Sequence, residues 1–459
     1  MSRIHILSIG LLLCLVLGVA TVSPGSASPY QSDDFLDELA ANTYAYLSSP
    51  ASTSNSMPWS WYSRTTPGGD YANTTEIGLL MVVHLGAYEM QRPWSPSWDV
   101  VEREVMTILH HLRDWQTSNQ NTYENSVFYQ WYWINHTPPV VGGGSNDKLV
   151  PSIDNAFTAA SLVVVREYAQ ANGHTAMAQL ADTILADMNF MLWYDFDTHL
   201  FHLGAVNDPA RGIWGDIYSN ENRIINFMAR ALGQMDDAEY MESLSALKRS
   251  PQTYDEIRVD WAAWDGSYFT YIAPGVFIRE GETFYGTCTV DPATQAQMVY
   301  AANLGYDAWG LSDGFDTTGA YVQQGAPPAF PGATIETRPG LVTPSAAAMA
   351  LISSYRVDAE ANLVELASRF PAVYDPEYGF LDSVMTKPGT PNYGVASDRF
   401  SALAQEWLLL SIIDAETGFI WDYFYRNEGV QAAHAEMFRL PEGCVPVCGG
   451  NGTVLCAPH

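Results

Sequence analysis

The sequence predicts an all-α protein, an (α/α)6 barrel whose long loops gather into a cleft, on three observations. Apolar residues recur at helical spacing in about twelve segments, short and long connections alternate, and tryptophans concentrate in the long ones. The helical segments run near 33–48, 74–91, 97–118, 152–172, 174–192, 217–233, 236–249, 293–306, 344–355, 358–369, 397–415 and 428–439. Several begin at recognisable caps: Thr74-Thr75-Glu76, Ser97 after Pro96, Ser152 ahead of Asp154, and Thr343 with Pro344 in the first turn. Residue 174 follows 172, and 236 follows 233, almost at once, which implies antiparallel hairpins. The stretches 50–73, 119–151, 250–292 and 307–343 are long and hold Trp59, Trp61, Trp131, Trp133, Trp261, Trp264 and Trp309. Trp214 falls in another such segment. Without a fixed-period repeat, a closed ring of hairpins is preferred to an open solenoid.

The domain plan has three parts: a leader over residues 1–27, a barrel over 28–440 and a cysteine-bearing tail over 441–459. Arg3 precedes the apolar run Leu7–Val22, and Gly25, Ser26 and Ala27 follow, the pattern of a secretory signal peptide. Cys14 lies in that run behind Leu13, a poor match to a lipid-anchor box, so free export to the periplasm or the medium is expected. Four cysteines remain, Cys288, Cys444, Cys448 and Cys456, and an oxidising compartment permits them to pair. Their spacing, with His459, fits no zinc template, and a disulfide-stapled tail is expected with its pairing open.

A formal net charge of −30 repels phosphate backbones and anionic lipid heads, so nucleic acid and membrane surfaces are excluded as expected partners. A neutral polysaccharide or oligosaccharide feels no such repulsion, and 14 Trp, 26 Tyr and 18 Phe supply flat faces for sugar rings. A monomer is expected, and nothing in the sequence asks for a metal or cofactor. Neither a Gly-x-Ser-x-Gly elbow, a phosphate-cradling glycine loop nor a His-Glu-x-x-His pair is present, which leaves carboxylates as the reactive groups. Hydrolysis of a glycosidic bond needs a carboxylic acid at the leaving oxygen and a carboxylate that activates water or attacks the anomeric carbon.

Five acids stand among aromatics or at helix starts. Asp154 opens a helix after the strip Phe128-Tyr-Gln-Trp-Tyr-Trp133, where it could equally cap. Glu221 precedes the apolar run Ile224, Ile225, Phe227 and Met228 beside Trp214 and Tyr218, a setting that suits a general acid with a raised pKa or, alternatively, a capping box. Asp313 lies in a glycine-bracketed loop and reads equally as a turn residue. Asp382 and Asp398 complete the set, each open to a salt bridge with a neighbour such as Arg399.

In order along the chain, Asn73-Thr-Thr-Glu-Ile-Gly-Leu79, Phe128-Tyr-Gln-Trp-Tyr132, Ser152-Ile-Asp-Asn155, Tyr218-Ser-Asn-Glu221, Trp309-Gly-Leu-Ser-Asp-Gly314, Thr343-Pro-Ser-Ala-Ala347, Tyr378-Gly-Phe-Leu-Asp-Ser383 and Thr417-Gly-Phe-Ile-Trp421 resemble the glucoamylase-like bacterial glycosidases. That group includes endo-β-1,2-glucanases of glycoside hydrolase family 144. The resemblance implies an (α/α)6 barrel acting on β-1,2-glucan, with Glu221 as proton donor and Asp154 as an essential cleft acid. It further implies that Trp309 to Asp313 line the groove, and Trp131, Tyr132, Trp214, Tyr218 and Glu76 are expected to bind substrate. One departure stands out: relatives commonly carry Asp-Gln-Gly before the final apolar helix, and this chain carries Ala404-Gln405-Glu406. The departure keeps two rival readings open, a glycosidase or transglycosylase on another glucan and a catalytically silent carbohydrate-binding barrel.

Overall fold

Helix positions follow the apolar spacing, but several ends differ: the segment expected from 397 begins at Ala402 after the strand Arg399–Ser401, and that expected to reach 355 is α-helical only to Met349. The computed structural model describes residues 32–66, 68–135, 140–141, 148–212, 221–331, 333, 336–440, 445–448 and 455–457. The expected leader, Trp214, Tyr218 and Cys444 lie outside the described residues. Within them the chain forms helices α1 (Ser32–Leu47), α2 (Thr74–Glu89), α3 (Trp98–Gln116), α4 (Ser152–Asn172), α5 (Thr175–Asp187), α6 (Arg223–Ala231) and α7 (Asp237–Ala246). There follow α8 (Tyr268–Ile272), α9 (Asp291–Asn303), α10 (Pro344–Met349), α11 (Arg356–Arg369), α12 (Ala402–Thr417), α13 (Phe419–Phe424) and α14 (Glu428–Met437). Every expected helical segment has its counterpart. The two helices not expected, α8 and α13, span five and six residues, too short for a 3.6-residue period to register.

Two kinds of helix build two layers. Along α2 every residue from Thr74 to Ala87 is buried, and α12 is buried from Gln405 to Asp414. A helix apolar on all sides belongs to a core. In contrast α3 buries one stripe, Val101, Val105, Ile108, Leu109, Leu112 and Trp115, and α5 buries Met177, Ala178, Ala181, Ile184 and Leu185. These are outer helices with one wet face. In the inner layer α2 packs on α4 and α12, α4 on α6, and α10 on α12, while α3 and α5 back α2 and α4 and α14 backs α6. The α2–α4 crossing is close because residue 78 lacks a side chain: a Cβ on Gly78 would stand 2.9 Å from the Cα of Thr158. The Thr158 hydroxyl donates across that contact to the Thr74 carbonyl at 2.9 Å.

Short antiparallel ribbons, absent from the sequence expectation, tie the long loops together. Trp61–Ser63 pairs with Arg399–Ser401, joining opposite ends of the chain. Tyr71–Asn73 pairs with Trp131–Trp133, Leu341–Val342 with Val384–Met385, and Gly314–Phe315 with Tyr321–Val322. A disulfide between Cys288 and Cys448, 160 residues apart, anchors the tail to the turn that precedes α9. Among the described residues no helix is long and apolar enough to cross a membrane.

Candidate active site

The N-terminal ends of the inner helices converge on two adjoining cavities of about 490 and 240 Å3. α2 contributes Thr75 and Glu76, α4 Ile153 and Asp154, α8 Phe269 and α12 Leu403, and Ser345 of α10 reaches the smaller cavity. Glu221 precedes α6 by two residues and lines both cavities. A fold that aims helix N-termini at one volume concentrates positive dipole ends there, a setting that favours carboxylates.

On one wall stand Asp154 and Glu76. Asn73 caps α2 by accepting from the Thr75 N–H at 2.7 Å, and Glu76 Oε2 accepts from the Asn73 N–H at 2.7 Å and from the Ser60 hydroxyl at 2.7 Å. Glu76 therefore closes a capping box and faces the cavity at once. Burial lifts its carboxyl to about 7, with the charge of nearby Asp154 adding to the rise. Asp154 stands in the first turn of α4, after the N-cap Pro151; its Oδ1 accepts from the Thr75 hydroxyl at 2.8 Å, and burial raises it too.

On the other wall stand Asp313 and Asp382. Asp313 Oδ1 accepts from the Gln324 N–H at 2.9 Å, and burial, then the charge of Asp265, lifts this carboxyl to about 7. Asp382 accepts from the Phe315 N–H; its burial outweighs that bond and nearby Arg399, leaving it also at about 7. Behind Glu221 the guanidinium of Arg223, wholly buried, donates to both oxygens of Glu280 at 2.5 and 2.7 Å and to the Tyr271 carbonyl at 2.9 Å. It also lies over the Tyr285 ring at 4.4 Å. The segment that carries Glu221 is thereby fixed to the turn after α8.

The structure brings together Glu221, Asp154, Asp313, Asp382, Glu76 and Trp131. Three expected residues are placed elsewhere. Asp398 is exposed, accepting from Ser63 and Thr65 hydroxyls at 2.9 and 3.0 Å, and does not line either cavity. Its neighbour Arg399 lies instead over the Trp61 ring at 3.8 Å. Tyr132 points into the core, stacked on Trp115 at 4.1 Å with its hydroxyl donating to the Asn121 carbonyl at 2.6 Å, because alternate residues of a strand face opposite sides. Trp131 takes the cavity side of that strand. Trp309 is nine-tenths buried in the main core, its N–H and carbonyl both bonded to the Asn362 amide, so it supports the wall from behind.

Ala404, where the resemblance led to an aspartate being expected, lines the smaller cavity, and Glu406 is sealed in the core. Sequence reasoning missed Tyr321 and Phe315, which face the cavities from the ribbon Gly314–Phe315/Tyr321–Val322. The signal was present as Asp316-Thr-Thr-Gly-Ala320 between two aromatics, a turn sequence flanked by strand formers. Among the described residues no cluster of three or more His, Cys, Asp or Glu is poised to hold a metal ion.

Residues 219–428 match a family model described as putative glucoamylase. Over most of its length the chain is similar in structure to a putative glucoamylase from Bacteroides caccae, with 18% identity, a TM-score of 0.74 and coverage of 89% of this chain and 99% of the other. It is likewise similar to the endo-β-1,2-glucanase of Chitinophaga pinensis in complex with sophorotriose and glucose, at 17% identity, a TM-score of 0.73 and coverage of 89% and 98%. An endo-β-1,2-glucanase from Talaromyces funiculosus matches at 12% identity with a TM-score of 0.71, covering 94% and 95%. At such identities the likeness establishes a common fold. Comparison of the sequence with curated proteins yields no match. The resemblance to glucoamylase-like glycosidases is met by the family model and the solved structures alike.

Proposed function

We propose that this protein is an exported glycoside hydrolase that cleaves within β-1,2-glucan chains. Glu221 delivers the proton to the leaving oxygen, and a carboxylate from one of the flanking walls activates water. One observation carries the reading: Glu221 stands where the two cavities meet, with Asp154 on one wall and Asp313 and Asp382 on the other, amid Trp131, Phe157, Phe269 and Trp264. A proton donor flanked by acids in an aromatic-lined hollow is the arrangement glycosidic hydrolysis requires. Asp154, Asp313 and Asp382 each accept a hydrogen bond, from Thr75, Gln324 and Phe315 in turn, and the water-activating group is assigned to Asp154 or to one of the two aspartates of the opposite wall. Trp131 and Glu76 bind sugar on the α2 side, and Trp214 and Tyr218 are assigned the same role from the sequence.

The convergence of α2, α4, α6, α8, α10 and α12 on the cleft supports a closed ring of six hairpins, the (α/α)6 barrel. The leader sequence and a disulfide, a bond at home in oxidising compartments, support export. The linkage rests on the solved neighbours that are endo-β-1,2-glucanases.

The test is release of reducing sugar from linear β-1,2-glucan by the parent and by Glu221→Gln. The parent cleaves, and the variant loses about 100- to 10,000-fold in kcat with glucan binding retained. Undiminished turnover in the variant removes Glu221 from its role. A second reading has one specific observation behind it, the alanine at position 404, which suits a carbohydrate-binding barrel without turnover. Calorimetry that registers glucan binding by a parent incapable of cleaving any glucan linkage would select it.

A further inference from the structure

We infer that Tyr321 is a catalytic residue of this cleft, its ring a platform for the sugar at the cleavage point and its hydroxyl a hydrogen-bond partner of that sugar. The inference rests on the glycosidase reading above and assigns a residue that the sequence motifs leave out.

Position is the first argument. Besides Glu221, four residues line both cavities: Phe269, Tyr321, Ser401 and Leu403. A sugar that bridges the two volumes passes Glu221 and meets these four. Two of them are apolar, and the Ser401 hydroxyl accepts from the Ala404 N–H as the cap of α12. Tyr321 alone among the four offers a large flat face and a polar tip together, the combination that carbohydrate recognition uses.

Exposure is the second. The Tyr321 side chain is 60% exposed although its ribbon stands over the helix ends of the inner layer. A ring held open at the junction of two cavities forgoes the burial that stabilises most aromatics, and a sugar ring laid on it restores that burial.

Rigidity is the third, because an exposed ring serves catalysis only if its place is fixed before substrate arrives. The turn of the ribbon is bound by Asp316, whose Oδ1 accepts from the Thr318 N–H at 2.8 Å, the Thr318 hydroxyl at 2.6 Å and the Ala320 N–H at 3.1 Å. Arg338 holds the other oxygen of Asp316 at 2.8 Å. At the base of the ribbon Asp382 receives the Phe315 N–H, Asp313 receives the Gln324 N–H, and the Ser383 hydroxyl donates to the Phe315 carbonyl at 2.5 Å. The carboxyls of the smaller cavity thus hold the two arms of the ribbon, Asp382 at Phe315 and Asp313 just beyond Val322, and the Tyr321 ring meets Phe315 edge-on at 5.4 Å.

Chemistry is the fourth. The carboxyls of Asp313, Asp382, Glu221 and Asp265 act on this phenol, and negative charges beside a phenol oppose its ionisation. A phenol with an ordinary value of about 10 carries its proton at neutral and acidic pH. A neutral hydroxyl among acids can donate to a carboxylate or a sugar oxygen and accept from a sugar hydroxyl without introducing charge.

Steady-state kinetics on linear β-1,2-glucan with Tyr321→Phe and Tyr321→Ala, beside the parent and Glu221→Gln, test this. Tyr321→Phe keeps the ring and the thermal midpoint but loses about 10- to 100-fold in kcat with little change in KM, the loss of a hydrogen bond made in the transition state. Tyr321→Ala adds about a tenfold rise in KM. Parental kcat and KM in Tyr321→Phe overturn the hydroxyl's role, and parental KM in Tyr321→Ala overturns the platform. A parent that leaves β-1,2-glucan uncut refutes the substrate reading separately. Tyr321 is then judged by calorimetry with the same glucan, where parental affinity in Tyr321→Ala, or no binding by the parent, overturns the assignment.

Discussion

Glu280 and Glu406 are both sealed from water, but the chain meets the two burials in opposite ways. Behind the cleft, Glu280 is grasped by Arg223 through two hydrogen bonds, and within α12 neither oxygen of Glu406 has a hydrogen-bond partner among the described residues. Burial raises both carboxyls; for Glu280 the charge and hydrogen bonds of Arg223 counter it, whereas for Glu406 the charge of Glu76 adds to it. A buried carboxyl keeps its charge only where a counter-charge and hydrogen bonds repay desolvation, and otherwise keeps its proton. The first region is ionic and fixes the segment before α6. The second is electrically neutral and behaves as part of the core.

That contrast can be broken or sharpened at four points. The largest effect is expected from Glu280→Gln, which strands the Arg223 charge and costs about 3–5 kcal/mol of unfolding free energy by chemical denaturation. A loss below about 1 kcal/mol would show that the pair carries little. Next comes pH. Glu76 and Asp382 are held at about 7 against ordinary values of 4.5 and 3.8, so the folded state binds more protons than the unfolded chain between those limits. Their contribution to stability is complete below about pH 4 and is lost as pH rises towards 7, the reverse of a salt-bridged carboxylate. Denaturation midpoints measured from pH 4 to 7 should fall, and Glu76→Gln should flatten the slope; an unchanged slope rejects the raised value for Glu76. A smaller effect, about 1–3 kcal/mol, is expected from Asn362→Leu, which removes the amide that satisfies both backbone groups of buried Trp309. The smallest is Glu406→Met, which replaces a proton-bearing acid by an apolar chain of similar size. It should change stability by less than about 1 kcal/mol or raise it, and a loss like that of Glu280→Gln would mean that Glu406 is ionised and paired after all.

What could be read in advance was whatever is local. The long helices announced themselves through apolar period; the expected caps fared less well, since the cap of α2 is Asn73, one residue before Thr74-Thr75-Glu76, and Ser97 and Thr343 hold cap positions without a side-chain hydrogen bond. Asp154 and Glu221 were legible as acids at helix starts, and inner helices whose starts converge bring them to one hollow. Non-local pairings were not legible. Trp61–Ser63 meets Arg399–Ser401 across more than 330 residues, and nothing within either triplet names the other. The same blindness misplaced Tyr132, whose side of the strand depends on a partner strand, and Trp309, whose tryptophan identity suits a core as well as a groove. Tyr321 was overlooked because its importance comes from the position of a ribbon, not from the residues beside it.

The glycine at position 78 has an engineering corollary. Replacing helix-interior glycine by alanine is a routine route to thermostability, since alanine narrows the unfolded ensemble. At Gly78 the added methyl would strike the Thr158 backbone, 2.9 Å away, and backbone cannot step aside. At Gly86 on the same helix the obstruction is side chain and not backbone, Cδ1 and Cγ2 of Ile413 at 2.9 and 3.1 Å, so repacking of one side chain is what the methyl demands. Two sites that look interchangeable on paper therefore have different tolerances, and hardening this helix for industrial heat has to begin at its second glycine.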